Sequence, residues 1–473
     1  MKNLKIFIKF AVMSLLLLFV VSSCQMSSQI LSSSVDKNFK KQYFDTIERD
    51  DLRKYFISIS DEKSAKKHMA TFDNSMALVY YEYVRAPDMN KLMQSALKAA
   101  KKQKNIDNAL DESLKAAITE LDPHSRWLNS EELKELNDTV QGEYVGIGTV
   151  ISEHPQGVLL QRVYENGPAY KVGLKKDDII TSADGKSLKG MDISEVAEAL
   201  RGKINTLVHV RILRDGIEKE YTIRRSKVEI NPVWAELKQD NIIYLRLDTF
   251  NVNASLDIER YFKQYSQKGG NKLILDLRSN PGGLLPEAID VSDLFLPKKA
   301  SIVSASKRDG KIDERWFSRK ADISKNIPMV VLVDEYAASA SEIVAAALKD
   351  NDRAILIGHR TFGKGTIQEV MPISEYGALR LTFALYQSPD GRIIQASGVA
   401  PNIEIVADEK TEIIRAEDLE HSILPLNRHI PKAEYIFNEG TCNKIEENDP
   451  ILDCALQLLT TNKIKDYSVN WQE

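Results

Sequence analysis

The run Met329-Val330-Val331-Leu332-Val333 is continuous, apolar and rich in valine, the pattern of a strand buried on both faces. Small residues follow it. Then Ser341-Glu342-Ile343-Val344-Ala345-Ala346-Ala347-Leu348 carries apolar residues at helical spacing in an alanine-rich setting. The spacing predicts a strand, a tight turn and a helix, with Ser339 at or beside the turn. Backbone N–H groups at such a helix start are unpaired, so a hydroxyl there lies near donors able to hold an oxyanion. A second strand over 353–357 leads to Lys364, which stands between glycines in Phe362-Gly363-Lys364-Gly365.

A serine hydroxyl is a weak nucleophile until a base takes its proton. No histidine neighbours Ser339 in sequence, so Lys364 is the candidate base. Lysine can act so only where burial or nearby positive charge leaves it partly neutral. Flanking glycines let the backbone approach closely and aim the side chain inward. Each half of the pattern also has a bland reading. A serine among alanines can be a simple N-cap, and a lysine between glycines can be a surface turn. Ser341 is the rival nucleophile.

The elements before this stretch alternate. Strands are expected over 233–237, 242–247 and 273–277, and helices over 256–265 and 287–295. Asn280-Pro281-Gly282-Gly283 stops the third strand sharply. Further strands are expected over 379–386 and 392–394. Alternating strands and helices point to an α/β core. Residues 36–137 read differently, as charged amphipathic helices including 76–84, 92–99 and 110–121, ending in Leu121-Asp122-Pro123-His124-Ser125. There Asp122 and Ser125 cap the next turn, and His124 is structural. From 138 to 226 the chain changes again, to short strands with glycine turns.

The N-terminus carries Lys2, Lys5 and Lys9, an apolar stretch from Ala11 to Val21, and then Val21-Ser22-Ser23-Cys24. This is a targeting segment and is excluded from the fold. An uncleaved membrane helix and cleavage without lipid are its other readings. Residues 24–35 form a polar tether. Cys442 and Cys454 remain, and in an oxidising compartment they could form a disulfide or stay as two buried thiols. A net charge of −4 gives no sign of a nucleic-acid partner. No phosphate loop or paired-cysteine metal site is present in the sequence, and no cofactor is expected.

Several of these motifs together resemble the carboxyl-terminal processing, or tail-specific, proteases. The carriers are Ala338-Ser339-Ala340-Ser341-Glu342 and Thr361-Phe362-Gly363-Lys364-Gly365-Thr366-Ile367-Gln368, with Lys364 placed 25 positions after Ser339 (364 − 339). Leu121 to Ser125, the Arg278-x-Asn280-x-Gly282-Gly283 turn and Gly398-Val399-Ala400-Pro401 also fit. So does the series Tyr144-Val145-Gly146-Ile147-Gly148, Asn166-Gly167-Pro168-Ala169, Gly173-Leu174 and Asp184-Gly185, which is similar to a PDZ domain. The one departure is Ala337, where family members usually have serine.

The resemblance implies an α+β multidomain protein, with a crotonase/ClpP-like α/β protease core and an inserted small β-rich PDZ domain. The expected layout is a signal peptide of lipoprotein type at 1–23, the tether at 24–35 and an N-terminal helical region at 36–137. A PDZ domain at 138–226, a serine protease core at 227–406 and a C-terminal helical tail at 407–473 complete it. It implies a Ser339–Lys364 dyad oriented by Gln368, and an oxyanion hole from Gly282 or Gly283 together with Ala340. Val145, Gly146, Ile147 and Gly148 would cradle a terminal carboxylate. Cys24 resembles the lipidated cysteine of a bacterial lipobox, which would anchor the protein on the periplasmic or extracytoplasmic side of a membrane. Expected partners are proteins with free, apolar C-termini, and the oligomeric state stays open. Two alternatives remain: a non-catalytic scaffold that binds C-termini, and a non-proteolytic protein on the crotonase-like core.

Overall fold

The computed structural model describes residues 37–140, 143–164, 167–191, 193–229, 231–406, 413–425, 428–446, 449–469 and 471. The targeting segment, Cys24, the tether and Asn166 lie outside the described residues. The chain forms two compact units: one takes Met1–Lys134, Val233–Phe250 and Ile258–Glu473, the other Glu135–Pro232 and Asn251–Asp257. Among the described residues, no helix is long and apolar enough to cross a membrane.

The larger unit is built on a seven-stranded sheet. Its order is Val233–Lys238, Ile242–Leu247, Lys272–Asp276, Met329–Val333, Ile355–Gly358, Ile403–Val406 and Tyr435–Asn438. The first pair is antiparallel and every later pair is parallel. Met329–Val333 lies at the centre with all five residues buried, which is why its sequence is unbroken by polar side chains. Helices Leu285–Phe295 and Ala340–Asp350 each follow a strand, and Pro450–Thr461 packs beneath the sheet through Cys454, Leu458 and Leu459.

A second, antiparallel sheet centres on Gly377–Gln387. Arg126–Asn129 and Thr366–Ser374 flank it along one stretch, and Ser301–Ser306 with Ile312–Phe317 continue it at the far end. One face of this sheet, through Trp127, Met371, Leu379 and Leu381, joins the core of the N-terminal helices Ile47–Ser58, Glu62–Glu82, Met89–Ala100 and Ile106–Thr119. Asp61, Asp88 and Asn105 cap three of these helices by accepting the amides of Ser64, Lys91 and Asn108.

Three expectations need correction. The stretch 76–84 is the end of one 21-residue helix, Glu62–Glu82. Residues 392–394 form only a bridge of Ile393 to Gln387, because the Ile394 carbonyl turns back to the amides of Ser397 and Gly398. The C-terminal region, read as a helical tail, also supplies the edge strand Tyr435–Asn438. That strand has a single buried residue, Phe437, so it leaves little apolar pattern to read. Cys442 and Cys454 form a disulfide with Cα atoms 5.2 Å apart, clipping this strand to the last helix.

The smaller unit folds around a sheet of order Thr149–His154, Gly157–Val163, Ile179–Ala183, Leu207–Arg214 and Ile217–Arg224, with Lys186–Ser187 paired to the third. Strict alternation along Leu207–Arg214 turns Val208, Val210 and Ile212 inward, onto Leu160, Ile180, Val196 and Ile223. Glu143–Gly146 pairs with Ser226–Glu229, so the two ends of the module are tied together. Its one buried carboxylate, among the described residues, is Asp178, held bidentately by Arg214 at 2.5 and 2.6 Å.

Candidate active site

Ser339 sits between the central strand and the helix Ala340–Asp350 with φ 57° and ψ −112°. A non-glycine residue there is strained by about 1–3 kcal/mol, so the surroundings must hold it in place. The chief restraint is Glu342, one turn into the helix and fully buried. One of its oxygens accepts the Ser339 amide at 2.8 Å and the Lys364 amide at 2.8 Å. The other accepts the Thr361 hydroxyl at 2.6 Å and the Gly363 amide at 2.7 Å. The backbone nitrogens of Ser339 and Lys364 are thus no farther apart than the sum of two hydrogen bonds. Burial pushes the Glu342 carboxyl up, while these four donors pull against it. With every acceptor position facing a donor, the geometry suits the carboxylate. Sequence reasoning passed over Glu342, although Ser339-x-x-Glu342 has the spacing of a capping box.

The loop Ser279–Gly283 is fixed against this turn. Asp334 accepts the amides of Ser279 at 2.9 Å and of Tyr336 and Ala337 at 3.1 and 2.9 Å. The Asn280 carbonyl accepts the Ala338 amide and the Ser341 hydroxyl. Ser341 is therefore buried with its hydroxyl engaged, whereas Ser339 is partly open to solvent. Gly282 has φ 102°, and a Cβ there would come within 2.8 Å of Ser339 Cβ and 3.0 Å of the Ala340 amide. Glycine is required for that approach. The Gly282 amide donates to the Asn280 side chain at 2.9 Å. Phe250 bonds the Gly282 carbonyl and the Leu284 amide, a parallel bridge that leaves the Gly283 amide on the opposite side. Just before the loop, Arg278 grips Asp276 at 2.6 Å and Asp449, the cap of the last helix, at 2.7 and 2.9 Å.

Lys364 is half-buried. Desolvation, then the charges of Arg380 and Arg126, bring its amine down to about 8, with Glu342 and Asp122 pulling the other way. Gly365 lets this segment press on the backbone at Gln395, for a Cβ would lie 2.1 Å from the Gln395 backbone nitrogen. Gln368 lies on the strand Thr366–Ser374 that begins just after Gly365. Its amide nitrogen donates to Thr382 Oγ1 at 3.2 Å, and Thr382 donates to Asp122 at 3.0 Å. Asp122 also accepts the amides of His124 and Ser125 and the Ser125 hydroxyl. The Leu121–Ser125 segment thus caps its own turn and also braces the strand behind Gln368. Burial, then Lys364, Arg380 and Arg126, push His124 down to about 3, leaving it neutral.

The other expected site residues, Val145 to Gly148, belong to the smaller unit. Ile147 points into its core, and Gly148 takes φ 84°. The carbonyls of Ile147 and Gly148 are held by the amides of Ala169 and Tyr164. The strand that follows, Thr149–His154, is an edge of its sheet. Among the described residues, no cluster of histidine, cysteine and acidic side chains could hold a metal.

Residues 241–405 match the model of peptidase family S41, and residues 161–214 match a PDZ domain. The chain is 34% identical over 355 residues to a carboxy-terminal-processing protease of Bartonella bacilliformis, covering 74% of this chain and 77% of that protein. It is 31% identical to the carboxy-terminal processing protease CtpA of Bacillus subtilis, covering 73% and 72%. A solved Bacteroides fragilis structure assigned to the S41 proteases aligns with a TM-score of 0.50 at 16% identity, covering 82% of this chain and 96% of that one, a likeness of fold. The chain therefore belongs to the carboxyl-terminal processing proteases, serine-type peptidases of family S41 that carry a PDZ domain.

Proposed function

We propose that this chain is an exported, lipid-anchored endopeptidase that captures free C-termini on its PDZ module and cuts near them with a Ser339–Lys364 dyad. The observation that carries the reading is the shared Glu342 oxygen, which holds the two residues' amides together at a strained serine. With the Lys364 amine at about 8, roughly one molecule in ten holds it neutral at pH 7.

Lys364 takes the Ser339 proton as the hydroxyl oxygen attacks the scissile carbonyl. The oxyanion is met by the amides of Ala340 and Gly283, since the Gly282 amide is committed to Asn280. The lysine ammonium then protonates the leaving amine, and water enters by the same route to release the acyl group. Gln368 keeps its amide nitrogen on Thr382, so its carbonyl is the atom that accepts from the lysine. In the smaller unit, a peptide adds to the Thr149–His154 edge, with its carboxylate at Val145–Gly148.

The basic and apolar start and Val21-Ser22-Ser23-Cys24 support export with lipid on Cys24. The Cys442–Cys454 disulfide supports an oxidising compartment. The deciding assay uses an unfolded protein with an apolar C-terminus and the form lacking residues 1–24. Wild type should cut it, and Ser339→Ala and Lys364→Ala should not. Binding without cleavage by all three would overturn the protease mechanism. For the anchor, Cys24→Ser should lose fatty-acid labelling and leave the membrane fraction; an unchanged membrane fraction would overturn it.

A further inference from the structure

Arg126 and Arg380 stand directly opposite each other in the antiparallel pair Arg126–Asn129 and Gly377–Gln387. Like charges at such positions repel and cost stability. Their side chains share a face with Thr382, two residues along from Arg380, and Thr382 holds Gln368. The neighbouring positions, Trp127, Leu379 and Leu381, turn the other way into the helical core. Arg380 is half-buried, and both guanidinium groups act electrostatically on Lys364 and His124.

Elsewhere in this unit, several arginines are matched to acids: Arg49 holds Asp73, the buried Arg353 holds Asp322, and Arg360 holds Glu417. Among the described residues, Arg126 and Arg380 have no hydrogen-bonded carboxylate. Asp122, whose charge reaches Arg380, already accepts from His124, Ser125 and Thr382. The repulsion is kept about 7 Å along the strand from Thr382, near enough for both charges to act on Lys364. A carboxylate placed between two planar guanidinium groups would relieve it.

We infer that Arg126 and Arg380 form an anion subsite that takes a carboxylate of the bound polypeptide and makes cleavage selective for acidic substrates. The carboxylate is that of an Asp or Glu side chain close to the cleaved bond, or the α-carboxylate of a chain cut within a few residues of its end. The inference rests on the Ser339–Lys364 reading only for the position of the bond.

The test uses quenched-fluorescence peptides that share one apolar C-terminus, with Glu or Gln at each of the residues flanking the cleaved bond. A further pair places the bond near the terminus, as free acid or amide. The quantity read is the ratio of kcat/KM between the members of each pair, which divides out any effect of a variant on the dyad. Wild type should favour the charged member roughly tenfold at one position, and the position identifies the source of the carboxylate. Arg380→Gln and the exposed Arg126→Gln should each bring that ratio toward one, and Arg380→Lys should restore part of it. A ratio near one at every position in wild type would overturn the subsite, as would a preference that survives in both glutamine variants. Affinities of the same peptides for Ser339→Ala protein give the ratio without turnover. If wild type cut none of them, the dyad would fail while these affinities still decided the subsite.

Discussion

The two units bury polar groups to different ends. The PDZ module is an apolar core wrapped by alternating strands, with few buried polar groups: Asp178, its one described buried carboxylate, takes Arg214 and the Lys175 amide, and Arg225 closes on the carbonyls of Ala199, Leu200 and Leu207. Around Ser339 the larger unit buries Glu342, Asn280, Ser341 and Thr361, and nearly every polar atom among them holds a backbone group. Apolar packing specifies a shape and tolerates repacking. Buried polar bonds fix particular loops at particular angles, and fail abruptly when one partner is removed. For the proposed roles, the module needs an edge strand and a loop, and the candidate active site needs a strained serine, a depressed lysine and two aligned amides.

Mutations should expose this contrast, beginning with the largest effect. Ser339→Ala should cut the steady-state cleavage rate on the order of 10⁴- to 10⁶-fold while leaving the melting temperature near that of wild type. Removing Glu342 tests the polar network itself. Glu342→Ala strands four donors, two of them fully buried, and chemical denaturation should report a loss of about 3–5 kcal/mol. Glu342→Gln keeps the volume but sets an NH₂ against amides, so kcat should fall on the order of 10²-fold. It also removes the negative charge that raises the Lys364 amine, so the acid limb of kcat/KM should move to lower pH. An unshifted limb would mean Glu342 acts on shape alone.

The wild-type profile supplies the reference for that shift. As the proposed base, Lys364 would have to be neutral to act, and it sits at about 8, so kcat/KM should climb through about pH 8 and fall off in acid. A profile flat into acid would exclude a lysine base. The smallest effect belongs to the module. Leu160→Ala, at a fully buried position, should cost it about 2–5 kcal/mol. Cleavage of proteins with free apolar tails should drop in that variant, while a short peptide with a blocked C-terminus is cut as before. Equal losses on both substrates would mean that the contrast between the units does not carry into function.

Elements whose pattern is local were legible from sequence. The all-buried run Met329–Val333, the alanine-rich helix after Ser339 and the glycine-punctuated strands of the module each announce themselves within about ten residues. Contacts that join distant residues were not. Asp334 holds Ser279, Thr382 holds Gln368 and Asp122, and Glu342 reaches Thr361 to Lys364. Each is an ordinary polar residue until the fold brings its partner near. Arg126 and Arg380 became notable only through strand register, and the spacing of Cys442 and Cys454 allowed either a bond or free thiols.

The grip of Arg278 on Asp449 has a consequence in time as well as in space. Proteins are synthesised, and begin to fold, from the N-terminus. Arg278 and the loop after it are made first, and the acid that braces them follows 171 residues later. The edge strand Tyr435–Asn438 and the Cys442–Cys454 clip arrive equally late. A nascent chain can thus carry its serine, lysine and glycine loop while still lacking the support that sets them. The order of synthesis itself delays the completed site until Asp449 has been made.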